Sequence, residues 1–203
     1  MRKMCRCVAL CALLAAIIWT GGVLFDRQKL MDSVIRMHVV ANSDSHGDQS
    51  LKLSVRDAVT ASLQQNLAAA ADPEEARAYL EKSLPKIKHL AEQTLFDLGC
   101  DASVAVSLCR EAFPKRVYDT FSLPAGVYEA LRITIGEGKG QNWWCVVFPQ
   151  LCLGTSASKV QDVAAGAGFP DSLHGALVSD GGYEIRFAAM DALGKLENIF
   201  FDD

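Results

Sequence analysis

The chain has 203 residues, half of them hydrophobic, and a formal net charge of −4. An acidic chain of this kind does not seek phosphate backbones, which excludes nucleic acid as an expected partner. Its length allows one good hydrophobic core rather than two once the N-terminal segment is set aside.

Arg2, Lys3 and Arg6 open the chain, and no side chain from Cys7 to Phe25 is charged. A basic flank before an apolar run marks export, and the positive flank holds the N-terminus inside. Two readings of residues 1–25 stand side by side. Thr20-Gly21-Gly22 offers small residues to a peptidase, with cleavage before Val23. The uncharged run also approaches the roughly 20 residues that span a bilayer, as a retained anchor would. Without Arg2, Lys3 and Arg6 the exported part carries about −7.

Val34 to Val40 alternates as a strand, with Ile35, Met37 and Val39 on one side and Arg36 and His38 on the other. Asn42-Ser43-Asp44-Ser45 ends it with turn and capping residues, so a helix follows. Its inner stripe is Leu51, Val55, Ala58, Val59, Ser62 and Leu63. Asp48, Lys52 and Arg56 lie four apart on another face, either as a solvated charge ladder or as a partner-binding face. Asp72-Pro73-Glu74-Glu75 starts a second helix with a cap, a proline and acids at the positive dipole end. Leu80, Leu84, Ile87, Ala91, Thr94 and Leu98 form its inner face, Pro85 should kink it, and Gly99 stops it.

Strands come next. Val104, Val106 and Leu108 alternate with small polar residues, and Val127 to Ile135 is a second strand with Leu131, Ile133 and Ile135 inward. Gly136-x-Gly138-x-Gly140 lacks both the following helix of a dinucleotide fold and the Gly-Lys-Ser/Thr of a phosphate loop. It reads as a hairpin connection. Trp143 to Phe148 is apolar without a gap, as in a central strand covered on both faces. Residues 154–182 lose all periodicity and read as a long loop region. Tyr183, Ile185 and Phe187 space like a short strand; Ala189, Leu193, Leu196 and Ile199 space like a final helix.

Four of the seven cysteines lie beyond the leader. Cys100 and Cys109 would stand about 25–30 Å apart along an extended strand, too far to bridge. Cys145 and Cys152 can meet if the chain turns back after Pro149, and an exported domain favours their disulfide over two buried thiols. No ligand spacing for zinc accompanies them, so no metal and no cofactor is expected. The four histidines are scattered, and His38 reads as a hydrogen-bonded structural residue.

Two blocks resemble a known family. They are Ile35-Arg36-Met37-His38-Val39-Val40-Ala41-Asn42-Ser43-Asp44-Ser45 with the following Asp48-Gln49, Leu51-Lys52 and Val55-Arg56-Asp57-Ala58-Val59, and Phe121-Ser122-Leu123-Pro124-Ala125-Gly126 through Trp143-Trp144-Cys145-Val146. Over about residues 33 to 152 the chain resembles the stage II sporulation protein R family. That resemblance implies a non-enzymatic signalling protein, made in the forespore and exported into the intermembrane space. There it would trigger a membrane-bound aspartic protease that processes a precursor sigma factor. Pro149 is followed by Gln150 where the family has a second proline, and Cys100 and Cys109 fall outside the pattern.

The expected fold is α+β: residues 33–203 form one exported domain, a mixed sheet packed by two consecutive helices and a C-terminal helix, after the signal or anchor segment. The expected partner surface joins Asn42, Asp44, Asp48, Lys52 and Arg56 to Glu137, Lys139, Gln141 and Asn142, which requires the two segments to lie together. An exported hydrolase of cell wall or peptides is the alternative. It requires His38 to meet acidic residues or Cys145 in a cleft.

Overall fold

The computed structural model describes residues 2–118, 121–149, 151 and 185–201. Ile35–Val40 forms β1, and all six of its residues are buried. Burial on both faces requires two covering layers, and the two layers set the architecture. Helices α2 (His46–Ala68) and α3 (Pro73–Asp97) cover one face. Ile35, Met37 and Val39 pack there against Val55, Val59, Leu63, Leu80, Ile87 and Leu95. The other face meets the end of α1 (Arg2–Asp32), a two-stranded ribbon of β3 (Arg116–Val117) and β4 (Ser122–Leu123), and the last helix, α4 (Ile185–Phe201). This is the expected α+β arrangement.

The main sheet adds β2 (Val104–Phe113), β5 (Gly126–Ile135) and β6 (Asn142–Phe148) in the order β2-β5-β1-β6. β1 runs parallel to β5 and antiparallel to β6. Two expectations change here. β6 is an outer strand among the described residues, not a central one, because a gapless apolar run reports covered faces and says nothing of lateral neighbours. The glycine segment is also not a hairpin: β1 separates β5 from β6, so residues 136–141 cross over the C-terminal end of β1. That crossing spans two strand spacings, about 10 Å.

Arg36 and His38 lie on the face opposite Ile35, Met37 and Val39, as the alternation implies, and both are buried there. The Arg36 guanidinium lies 4.1 Å from the Phe113 ring centre and 5.1 Å from that of Tyr128, and it donates to the Tyr118 hydroxyl at 2.8 Å. Aromatic faces supply the electrostatic partner that solvent would otherwise give.

Helix α3 begins as expected, with Asp72 accepting from the Glu75 amide and Pro73 at the first position. It continues through an exposed Pro85. Its end is a double-bonded stop: Gly99 N donates to Phe96 O and Cys100 N to Leu95 O, both at 2.9 Å. The inner stripe is Ala76, Leu80, Ser83, Ile87, Ala91 and Leu95. Leu98 is the exposed C-cap, and Leu84 and Thr94 are half-buried, because the stripe steps by four at the end and selects Leu95.

Ile185 and Phe187 are helical, not a strand; the alanine- and leucine-rich run behind them propagates helix back to Ile185. The helix expected from Ala189, Leu193, Leu196 and Ile199 forms, but that apolar spacing does not mark its buried side. Met190, Asp191 and Gly194 are buried while Leu196 and Ile199 are exposed. Gly194 decides this, since a Cβ there would lie 1.7 Å from Ala125 O. The helix approaches the 125–126 backbone along a side that only glycine permits. Tyr183, the 154–182 region and Cys152 lie outside the described residues.

Helix α1 is long and apolar enough to cross a membrane over Arg6–Asp32. It enters the domain without a linker, and Val23, Leu30 and Met31 are core residues. Cleavage before Val23 would therefore leave all three of these side chains in the domain.

Candidate functional site

The site is built where β1 ends. Ser45 caps α2 by accepting from the Asp48 amide at 3.1 Å. The Asp48 carboxylate in turn accepts from Asn42 Nδ2 at 3.0 Å and from the Ser43 hydroxyl. The Ser43 bond, and then that from Asn42, hold the Asp48 carboxyl below its usual value. A turn of small polar residues is thereby closed on its own helix N-terminus.

The glycine segment lies against this turn through its backbone. Asn42 Oδ1 accepts from Glu137 N at 3.0 Å, Asn42 O from Lys139 N at 3.1 Å and Ala41 O from Gly140 N at 2.9 Å. Asp44 Oδ1 accepts from Gln141 N at 2.7 Å. Gly136 has φ +56, and a Cβ on Gly140 would sit 2.2 Å from Ser43 O, so the approach depends on glycine. Four amides that leave the sheet ladder at the crossing find their acceptors in the β1–α2 turn.

Lys52 completes the joint. Its ammonium is buried, donating to Gln141 O at 3.0 Å and to Gln49 Oε1. Burial, then the charge of Arg56, pushes its pKa down. The Asp48–Lys52–Arg56 row is accordingly no solvated ladder. Asp48 and Lys52 turn inward, and Arg56 pairs with Asp57 at 2.7 Å and lies 4.9 Å from the Trp143 ring centre.

The two expected segments therefore do lie together, and their residues divide by role. Asn42, Asp48 and Lys52 hold the joint. Asp44, Glu137, Lys139, Gln141 and Asn142 are exposed, with Glu137 and Lys139 paired at 2.7 Å. Sequence reasoning missed Ser43 and Gln49, whose side chains bond within the turn, and Trp143, which meets Arg56 at the rim. Ser43 had a signal in its capping-type neighbourhood. Trp143 had none, since a tryptophan in an apolar run reads as core.

The joint occupies one pole of the domain. α2 starts there and runs 23 residues, about 35 Å, to the α2–α3 turn. That turn lies at the base of α1, where Asp72, Pro73 and Glu74 line a groove with Phe25, Gln28, Lys29 and Asp32. The apolar helix enters at one end of the molecule and the exposed polar tip stands at the other.

The hydrolase geometry is half present. His38 Nδ1 and Glu111 Oε2 are 2.8 Å apart, and Glu111 also accepts from Arg132 at 2.8 Å. Burial alone would raise the Glu111 carboxyl, but His38 and Arg132 outweigh it and hold it low. The ring is stacked on Trp144 at 4.1 Å, and its Nε2 is buried without a hydrogen-bond partner. Cys145 cannot join it, because the register sets Met37 opposite Cys145 and His38 opposite Trp144, on opposite faces of the sheet. Burial, foremost, pushes the neighbouring Cys109 thiol up, away from nucleophilic use.

Comparison with known proteins gives one consistent result. The family model described as Stage II sporulation protein R matches residues 31–158. Stage II sporulation protein R of Bacillus subtilis (strain 168) is 43% identical over 121 residues, 60% of this chain and 54% of that protein. The match thus spans about half the length of that relative. No solved structure matches.

Proposed function

This chain belongs to the stage II sporulation protein R family, and from that premise we propose that it is an exported signal that activates a membrane-bound aspartic protease of sporulation. The protease would then process a precursor sigma factor. The domain acts as a ligand: it binds one conformation of the receptor better and shifts its population.

The observation that carries this reading is the exposed polar tip, Glu137 to Asn142, hydrogen-bonded to the β1–α2 turn at the pole away from the apolar helix. A domain exported from the forespore behind such a helix would present this tip outward into the intermembrane space. The loop is preorganised by four hydrogen bonds from its backbone amides, two to backbone carbonyls and two to the Asn42 and Asp44 side chains, which lowers the ordering cost of binding. A Cys145–Cys152 bridge would stiffen the strand that carries the tip, and it is part of the proposal.

Reconstitution in membranes with the protease and its precursor substrate tests the reading. Cleavage should require this protein, and Lys139→Ala with Asn142→Ala should reduce it while leaving the unfolding midpoint unchanged. Cleavage that proceeds without the protein would defeat the proposal. Full activity of the double variant would defeat only the assignment of the tip.

A further inference from the structure

Beside the foot of α1 lies a groove of about 630 Å³, within the range of small-molecule sites, about 300–1,000 Å³. One wall is a single stripe of α1, Phe25, Gln28, Lys29 and Asp32, spaced i, i+3, i+4 and i+7. Ser33 lies at the end of the stripe, and the facing wall is the start of α3, Asp72, Pro73 and Glu74. Two of the carboxylates are fixed in place. Gln28 Nε2 donates to both Asp32 oxygens, at 2.8 and 2.9 Å, and Asp72 Oδ1 accepts from the Glu75 amide at 2.8 Å. Lys29 and Glu74 enter no ion pair among the described residues.

The stripe also orders these groups along the helix axis. The uncharged run from Cys7 to Phe25 has 19 residues. That is about 28 Å of helix, against a hydrocarbon core of about 30 Å. With Arg6 at the near side of a bilayer, Phe25 stands at the far boundary. Lys29 follows about 6 Å farther out and Asp32 about 10 Å farther out. The headgroup layer beyond the hydrocarbon is about 5–8 Å deep on each side. From the boundary outward, the stripe thus reads apolar, cationic, anionic. A phospholipid with an amine headgroup reads acyl ester, phosphate, ammonium in the same direction.

We propose that this groove holds the headgroup of an amine-bearing phospholipid from the bilayer that holds α1, its phosphate on Lys29 and its ammonium among Asp32, Asp72 and Glu74. Three carboxylates against one ammonium select a headgroup that ends in a cation and disfavour one whose only charge is the phosphate. An ethanolamine ammonium brings three N–H donors to those carboxylates, which a trimethylammonium lacks. The inference rests on the reading of residues 7–25 as a membrane segment. A lipid held between α1 and the start of α3 ties the domain to the bilayer at a second point off the helix axis, and so aims the distal tip.

The test places the full chain in nanodiscs of equal parts phosphatidylethanolamine, phosphatidylcholine and phosphatidylglycerol. Native mass spectrometry then reads which lipid the released protein retains. One phosphatidylethanolamine should stay bound, preferred over phosphatidylglycerol by about tenfold, or about 1.4 kcal/mol. Asp32→Lys with Glu74→Lys should invert that preference; both positions are exposed, and an unchanged unfolding midpoint shows that the fold is kept. Asp32→Asn alone should weaken the preference, and it keeps the test if the double variant unfolds. Equal retention of the three lipids overturns the proposal and leaves the membrane helix standing, as does a preference that survives these substitutions. A chain that fails to enter the nanodisc overturns both. Displacement of the retained lipid by soluble phosphoethanolamine assigns the groove to a soluble ligand and also overturns the proposal.

Discussion

Lys52 puts an ammonium where only a few oxygens can receive it, and it is 5% exposed. Its donors reach Gln141 O and Gln49 Oε1, so removing them leaves both part-buried oxygens without that partner. Lys52→Met should lower stability by about 1–3 kcal/mol in denaturant unfolding. Glu111 supplies the pH dependence. Its folded pKa lies below the ordinary 4.5. The stability from its bonds to His38 and Arg132 is fully present above the unfolded value and is lost as pH falls through the folded one. Glu111→Gln should flatten that acid limb, read as the unfolding midpoint against pH from neutral to about pH 3. Nothing in the spacing of His38 and Glu111 announced this pair. They sit on β1 and β2 with β5 between them, and only sheet order brings side chains of separated strands together.

The crossing over β1 and the seating of α4 are both settled by single glycines. Gly140→Ala would drive a Cβ to 2.2 Å from Ser43 O, which is backbone and cannot step aside cheaply. The variant should lose about 1–3 kcal/mol, and hydrogen exchange at the amides of Glu137, Lys139 and Gln141 should speed up, because all three bond to the displaced turn. The ends of elements were readable wherever a local rule governed them, as at Asp72-Pro73 and Gly99. The hairpin and the central position of β6 were not. A glycine-rich link between two strand-like runs is the same string whether the strands pair or a third strand lies between them. For α4, apolar spacing marked the helix but not its buried side: Leu196 and Ile199 turn out because close approach at Gly194 outranks a weak stripe.

The molecule has two poles, joined by α2 and the sheet. One holds the apolar helix and its core residues Val23, Leu30 and Met31; the other holds the polar joint. A chain starting at Val23 should unfold at the same denaturant concentration as the full chain. A chain starting at Ser33 should lose most of its stability, since each buried large side chain contributes about 1.5–3 kcal/mol and a domain holds about 5–15 in total. Circular dichroism in denaturant separates the two outcomes. Charge, the apolar N-terminal run and apolar periodicity already dictated an acidic α+β domain behind an apolar helix, because they act locally or through composition and need no partner in space. The long motifs from Ile35 to Val59 and from Phe121 to Val146 carried the family. Tertiary structure alone decided which polar residues hold the joint and which remain for a partner. That division depends on where four amides of a crossing loop find acceptors, and those acceptors lie nearly a hundred residues away in the chain.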